Sequence, residues 1–315
     1  MEKEILKISN LSKLYQGKAA LNHVSMSIRQ GQIYGLVGNN GAGKTTLMRM
    51  ITGTSFWDAG SMELFGVEQS NKIGRERKRV GALLETPAFF ENMSGRQNLE
   101  YYRIQLGIPG KQWVEELLLQ VGLTEAAEKK VRAYSMGMKQ RLGIALALLN
   151  HPDFLILDEP VNGLDPKGII EIRNILQRLT REKGITILIS SHILAELANI
   201  ATYFCFMDKG KVLEEISREA LEEKCQTYLE LKISDGERMS VLLEQHFPHL
   251  RYRVYPENTI HIYGNMDNVQ EISELAVKQG VGLLGLTQKT LDLENYYMNL
   301  VGDNEGEKER GNVVC

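Results

Sequence analysis

Two stretches of this chain place residue types at spacings that suit chemistry on a phosphate ester. The first, Gly38-Asn39-Asn40-Gly41-Ala42-Gly43-Lys44-Thr45, fits the pattern G-x-x-x-x-G-K-[ST]. Gly38, Gly41 and Gly43 are expected at φ > 0, where successive backbone N–H groups can converge on one anion. Lys44 can reach the β- and γ-phosphates of a triphosphate, and the Thr45 hydroxyl can ligate Mg²⁺. The second stretch, Phe154-Leu155-Ile156-Leu157-Asp158-Glu159, is an apolar run closed by two carboxylates. Asp158 suits Mg²⁺, directly or through water. Glu159, one residue further on, suits the base or water-orienting group for attack on a γ-phosphate.

A third stretch, Tyr134-Ser135-Met136-Gly137-Met138-Lys139-Gln140-Arg141, leads into Leu142, Ala145, Leu146 and Leu149 at helical spacing. Ser135 is a natural N-cap and Gly137 permits close backbone approach, so this helix start can receive an anion. One nucleotide needs only one phosphate loop. From these residues alone the segment reads either as ordinary capping or as a site for the nucleotide of a second subunit.

The third stretch resembles the signature motif of the ATP-binding cassette (ABC) ATPases. It departs from the usual L-S-G-G-Q at its first, third and fifth places, where Tyr134, Met136 and Met138 stand, and keeps the serine, one glycine and the following K-Q-R. Other motifs match in order. Tyr15 resembles the aromatic residue that stacks on adenine. Asn162-Gly163-Leu164-Asp165-Pro166 resembles the loop that runs along the dimer seam. His192, in Ile189-Ser190-Ser191-His192, resembles the switch histidine that contacts the γ-phosphate. The likeness covers residues 1–220 and implies ATP and Mg²⁺ as ligands, with the nucleotide held along the loop from Gly38 to Thr46. It also implies a head-to-tail dimer, homomeric or with a related subunit, in which Ser135, Gly137 and Asp165 serve the partner's ATP. An integral membrane permease subunit is the implied partner, with the chain cytoplasmic and peripheral on the inner face of the cell membrane.

One position departs from the family pattern, which usually has a glutamine about forty residues after the loop lysine. Here Val80-Gly81-Ala82-Leu83-Leu84-Glu85 puts Glu85 forty-one residues after Lys44. Glutamine offers a neutral oxygen to Mg²⁺ and the attacking water, whereas Glu85 brings a charge. It stands here as a candidate metal ligand and catalytic residue, the alternative being a solvated loop residue. A similar substitution occurs among ABC ATPases of lantibiotic immunity and bacitracin-type peptide resistance. The resemblance therefore gives, as expected function, the ATP-hydrolysing subunit of an ABC transporter that exports, or confers resistance to, antimicrobial peptides. The competing reading is a soluble ABC ATPase acting on ribosome or nucleic acid. Such proteins usually fuse two cassettes or carry a long coiled coil, and this chain shows one cassette and no sustained heptads. A nucleotide kinase would share the phosphate loop and leave Ser135, Asp165 and His192 unexplained.

These motifs need elements to hold them. Residues 32–37 read as a buried strand before the loop and 46–51 as the helix after it. Residues 1–85 are β-rich. Residues 86–150 are mostly helical, with a capping box at Ser94-Gly95-Arg96-Gln97 and a further helix at 113–121. A strand at 185–189 precedes His192. The expected fold of 1–220 is therefore α/β: a P-loop ABC cassette with a parallel core, a β flank and a helical insertion. Pro87-Ala88-Phe89-Phe90 opens the insertion, as core or, from the resemblance, as contact with the membrane subunit.

Residues 221–300 read as a separate small α+β domain. Strand 227–233, helix 238–247, a hairpin of 251–255 and 259–263, helix 269–279 and strand 282–287 give the ferredoxin-like order β-α-β-β-α-β. A helix at 291–300 is expected before a disordered tail, 301–315. His246, His249 and His261 lack a metal spacing.

Composition narrows the classes. The chain has 315 residues, 43% hydrophobic, with a net charge of −3, as in ordinary globular proteins. No apolar run approaches the roughly 20 residues of a membrane helix, and Met1-Glu2-Lys3-Glu4 lacks the basic-then-apolar order of a signal peptide. Cys205, Cys225 and Cys315 are odd in number and outside any C-x-x-C, which points to reduced thiols. Residues 1–220 carry +4 and 221–315 carry −7, so nucleic acid is not an expected partner. Arg75-Glu76-Arg77-Lys78-Arg79 reads as a solvated run.

Overall fold

The computed structural model of the protein describes residues 3–68, 73–85, 88–225, 227–263, 269–290 and 293–310. Met1, Glu2, Pro87, Leu291 and Cys315, named above, lie outside the described residues. The chain divides into two compact units, Met1–Arg218 and Glu219–Cys315.

In the first unit, β1 (Glu4–Tyr15) and β2 (Lys18–Arg29) form an antiparallel hairpin. The next strand, β3 (Ile33–Val37), is buried at every position, as a parallel strand covered on both faces must be. It leads through the phosphate loop into α1 (Lys44–Thr52). Strands β4 (Ala59–Leu64) and β5 (Val67–Glu68) join the first two in a four-stranded antiparallel sheet, order β2-β1-β4-β5. A short helix, α2 (Ile73–Glu76), precedes β6 (Val80–Leu83). The helical insertion then supplies α3 (Gly95–Gln105), α4 (Gln112–Gln120) and α5 (Met136–Ala147). Its capping box is present: Ser94 Oγ accepts from the Gln97 N–H at 3.2 Å, and Gln97 Oε1 accepts from the Ser94 N–H at 2.9 Å.

The chain returns as β7 (Phe154–Leu157), α6 (Pro166–Lys183), β8 (Thr186–Ser191), α7 (Leu194–Ala198), β9 (Tyr203–Asp208) and β10 (Lys211–Ser217). These build a six-stranded sheet, order β10-β9-β3-β8-β7-β6. It is parallel except for β10 at its edge. Val37 lies level with Ser191, and Leu157 with Ile189. The phosphate loop, the acidic pair and His192 therefore leave the sheet together at its carboxyl end, where open parallel sheets bind ligands.

Helix α1 is clamped between the two sheets. Leu47, Met48, Met50 and Ile51 share one buried cluster with Ile8, Leu21, Ile28 and Leu64 of the antiparallel sheet and Leu36, Ile156 and Leu188 of the parallel sheet. Each such side chain contributes about 1.5–3 kcal/mol of burial, so the loop starts from a rigid base. The basic run has a structural task rather than a solvated one. Arg77 Nε and Nη2 donate to Ile51 O and Met50 O, both at 3.0 Å, capping the end of α1 at Ile51 O and sharing Met50 O with the Gly53 N–H. Arg79 bonds Asp153 at 2.6 Å and Glu76 at 2.9 Å.

After α8 (Arg218–Lys224), the second unit runs β11 (Thr227–Ile233), α9 (Gly236–His246), β12 (Arg251–Tyr255), β13 (Thr259–Tyr263), α10 (Val269–Lys278) and β14 (Leu283–Thr290). This is the expected β-α-β-β-α-β order, folded as an antiparallel sheet β12-β13-β11-β14. Leu229, Leu231, Ile233, Ile260 and Ile262 face Met239, Leu243 and Ile272 of its helices in one core. His261 stacks on Tyr228 at 4.2 Å on the opposite sheet face, and His246 Nδ1 lies 3.0 Å from Leu242 O.

Helix α11 spans Leu293–Arg310 and so runs past the end at residue 300 expected from the sequence. Glu305, Glu307, Lys308, Glu309 and Arg310 are all good helix formers and extend a helix already nucleated upstream. Among the described residues no helix is long and apolar enough to cross a membrane.

Candidate nucleotide site

The phosphate loop opens α1 without any side-chain cap. Gly43 is its N-cap, at φ 105°, so the first-turn N–H groups and the positive end of the helix dipole are left for a ligand. A Cβ on Gly43 would also stand 2.8 Å from Ala20 O. Gly41 is at φ 83°, as expected, but Gly38 is not left-handed. Its glycine serves space instead, because a Cβ there would lie 2.6 Å from Met207 O and 2.8 Å from the Ala42 methyl. Lys44 is 5% exposed. It folds back along the loop, donating to Gly38 O at 2.6 Å and Asn39 O at 3.3 Å.

The acidic pair stands directly beside it. Asp158 Oδ2 accepts from Thr45 Oγ1 at 2.6 Å, and Asp158 Oδ1 accepts from Ser190 Oγ at 2.5 Å. Glu159 sits at φ 45°, left-handed for a residue with a Cβ. Its N–H donates to Ser190 Oγ at 2.8 Å. One carboxylate oxygen lies 3.6 Å from Lys44 Nζ. The other is 3.0 Å from His192 Nδ1 and accepts from Asn162 Nδ2 at 3.1 Å. An ionised carboxylate can only accept, so Nδ1–H of His192 is the donor to Glu159. Lys44, Thr45, Asp158, Glu159 and His192, which the sequence singled out from three separate segments, thus form one cluster, Lys44 joined to it by the ion pair with Glu159 and the others by hydrogen bonds. Ser190 was missed as a member. Its one signal was a buried hydroxyl closing an apolar strand just before the histidine.

The donor chemistry fits Mg²⁺. Thr45 Oγ1 and Asp158 are hard oxygen ligands 2.6 Å apart, the set this ion uses when phosphate and water supply the rest. Among the described residues no group of three His, Cys, Asp or Glu could hold an ion alone.

The remaining candidates lie outside the cluster. The Tyr15 ring is 45% exposed, with its hydroxyl 3.1 Å from Ser55 Oγ and Lys13 Nζ 5.4 Å from its centroid. Glu85, at φ 64°, forms an ion pair with Arg49 of α1, and both side chains are well exposed. Ser135 caps α5, its Oγ accepting from Met138 N–H at 3.3 Å. A Cβ on Gly137 would meet Leu164 only at 4.0 Å. Asp165 caps α6, accepting from Gly168 N–H at 3.1 Å. The hydrogen bonds of Ser135 and Asp165 thus close on their own helices.

The ABC transporter family model matches residues 21–162. A bacitracin transport ATP-binding protein of Bacillus licheniformis is 40% identical over 298 residues, covering 95% of this chain and 97% of that one. The chain belongs to the ABC transporter family. This ABC ATPase is also 43% identical over 211 residues to a lantibiotic transport ATP-binding protein of Streptococcus pyogenes, covering 67% of this chain and 90% of that one. Among solved structures, the cbiO1 protein of Clostridium perfringens, part of an ABC transporter complex, superposes with a TM-score of 0.65 at 27% identity, covering 78% of this chain and 97% of that one. As a member of the family the ABC ATPase binds and hydrolyses ATP.

Proposed function

We propose that this ABC ATPase powers a transporter that exports, or confers resistance to, antimicrobial peptides of the bacitracin or lantibiotic type. The support is the likeness to the two transport proteins named above, one of them along nearly the whole chain. It works as a head-to-tail dimer, homomeric or with a related subunit, at the inner face of the cell membrane against an integral permease. Phe90 and Tyr101, 43% and 44% exposed and in edge contact at 4.7 Å, give the insertion an apolar landing for that permease.

The observation that carries the chemistry is the placement of Glu159 between Lys44 and His192. The loop amides and Lys44 bind the phosphates, and Tyr15 stacks on adenine. Thr45 and Asp158 hold Mg²⁺, which when bound draws charge from the γ-phosphate. Glu159 takes the proton of the attacking water. His192, its Nδ1–H fixed on Glu159, presents Nε2 to the γ-phosphate. Ser135, Gly137 and Asp165 act in the partner's site.

Glu159→Gln tests this: ATP binding stays, turnover falls by roughly 10² or more, and size exclusion with ATP shows a trapped dimer. Full turnover would remove Glu159 from the role of base. For the peptide reading, cells expressing the chain with its permease should gain resistance to bacitracin or a lantibiotic. Unchanged sensitivity to both would overturn it.

A further inference from the structure

We propose that Ser190 is a positioning residue for hydrolysis, setting the carboxylate of Asp158 and the backbone of Glu159 through one hydroxyl. The inference rests on the reading of Glu159 as the base.

Ser190 is fully buried near the end of β8. The register that pairs Leu157 with Ile189 brings it level with Asp158. Its Oγ lies 2.5 Å from Asp158 Oδ1 and 2.8 Å from Glu159 N. The direction of both bonds is forced. A carboxylate can only accept and an amide N–H can only donate, so the single hydroxyl proton goes to Asp158 and a lone pair receives Glu159. Only a hydroxyl of this size satisfies both at once.

Two consequences follow for the site. Asp158 is held at both oxygens, by Ser190 on one and Thr45 at 2.6 Å on the other, so its carboxylate plane cannot turn. Glu159 is held at φ 45°, a conformation L residues rarely adopt. The Ser190 hydroxyl is the partner of its N–H in that conformation. Strand β8 and the residue just after it therefore grip Glu159 twice, through Ser190 at the backbone and through His192 at the carboxylate. A buried serine that merely satisfied itself would bond to strand carbonyls. This one spends both of its bonds on the two acidic residues of the site.

The test uses the full chain and steady-state ATPase kinetics with Ser190→Ala and Ser190→Thr, each alone and with Glu159→Gln. Ser190→Ala is expected to lower kcat by about 10- to 100-fold. The KM for ATP and the binding of a fluorescent ATP analogue without Mg²⁺ should change by less than about twofold. Ser190→Thr, which keeps the hydroxyl, should recover most of kcat. On the Glu159→Gln background Ser190→Ala should lower the residual rate by clearly less than it lowers the wild-type rate, since the part of its effect that runs through Glu159 is already lost. A purely structural role would move nucleotide binding and melting temperature together and would persist in the double variant.

If Ser190→Ala does not fold, Ser190→Cys, of similar size but a poor hydrogen-bond partner, carries the same expectation. A kcat within twofold of wild type in the folded variant, or a full multiplicative loss in the double variant, overturns the proposal. Full turnover in Glu159→Gln would bring down the reading of Glu159 and this inference with it. An inactive Glu159→Gln beside a normal Ser190→Ala would bring down the inference alone.

Discussion

Arg49, on the helix that follows the phosphate loop, is ion-paired to Glu85, the residue that leads from β6 into the helical insertion. Both side chains are largely in solvent, 43% and 62% exposed, so the pair contributes about 0–1 kcal/mol. That is weak enough to be exchanged. Glu85 is thus tied to α1 by a bond that a stronger partner would displace.

Two substitutions at this pair should act in opposite senses. Glu85→Gln removes the charge and should raise the Mg²⁺ concentration for half-maximal ATPase activity by about two- to fivefold, the range of an exposed charge pair. Arg49→Ala releases Glu85 and should lower it. Turnover falls far less than in Glu159→Gln, because Thr45 and Asp158 remain. Rates against Mg²⁺ for the three proteins decide it, and identical curves would make Glu85 a surface residue only.

With Ser135 in its proposed place at the other subunit's phosphates, Ser135→Arg should leave ATP affinity of the monomer unchanged and abolish hydrolysis. Mixed with a Lys44→Ala chain, each mixed dimer regains one complete site. Weaker ATP binding by the Ser135→Arg monomer would show that Ser135 acts within its own chain.

Arg77→Ala deletes the two bonds to Ile51 O and Met50 O and should lower stability by about 1–2 kcal/mol. For a unit of this size that is a fall of about 2–4 °C in melting temperature per kcal/mol. Arg77→Lys, without the planar fork, should recover only part of it. A melting temperature unchanged in Arg77→Ala would mean that water caps α1 equally well.

A pH effect resides between the two sheets of the cassette. The Tyr34 hydroxyl donates to the Glu215 carboxylate. Burial pushes the Glu215 carboxyl above the usual 4.5, against the hydrogen bonds from Tyr34 and Ser27 that favour ionisation. Burial also pushes up the Cys205 thiol and the Tyr34 hydroxyl. The folded chain therefore holds the Glu215 proton more tightly than the unfolded chain. Its contribution is complete below pH 4.5 and is lost as pH rises through the raised value. Glu215→Gln should gain stability relative to wild type with rising pH across that window. Thermal melts of both proteins over the window check it, and a constant difference would contradict the assignment.

Much of the site was legible because its residues close buried strands. Val37, Leu157 and Ser191 end strands buried throughout, or nearly so, and the groups that follow them announce their chemistry. Sheet order is not written in the chain, however. That β7 lies beside β8, and so Asp158 beside Ser190, emerges only when the strands pair. The same holds for Arg49 and Glu85, which sit on elements whose angle no periodicity reports. Gly38 was assigned the wrong reason, because crowding by Met207 comes from a distant strand.

The left-handed backbone of Glu159 has a consequence for selection. Glycine or asparagine would rest more easily at φ 45°, so at this position the chain keeps a residue that its backbone disfavours. The strain of such a residue is of order 1–3 kcal/mol, and Glu159→Gly should melt higher than the wild type and, with Glu159 as the proposed base, bind ATP without turning it over. Variants chosen for heat resistance alone would drift toward a dead enzyme at this residue, and only growth under a demand for turnover would keep the glutamate in place.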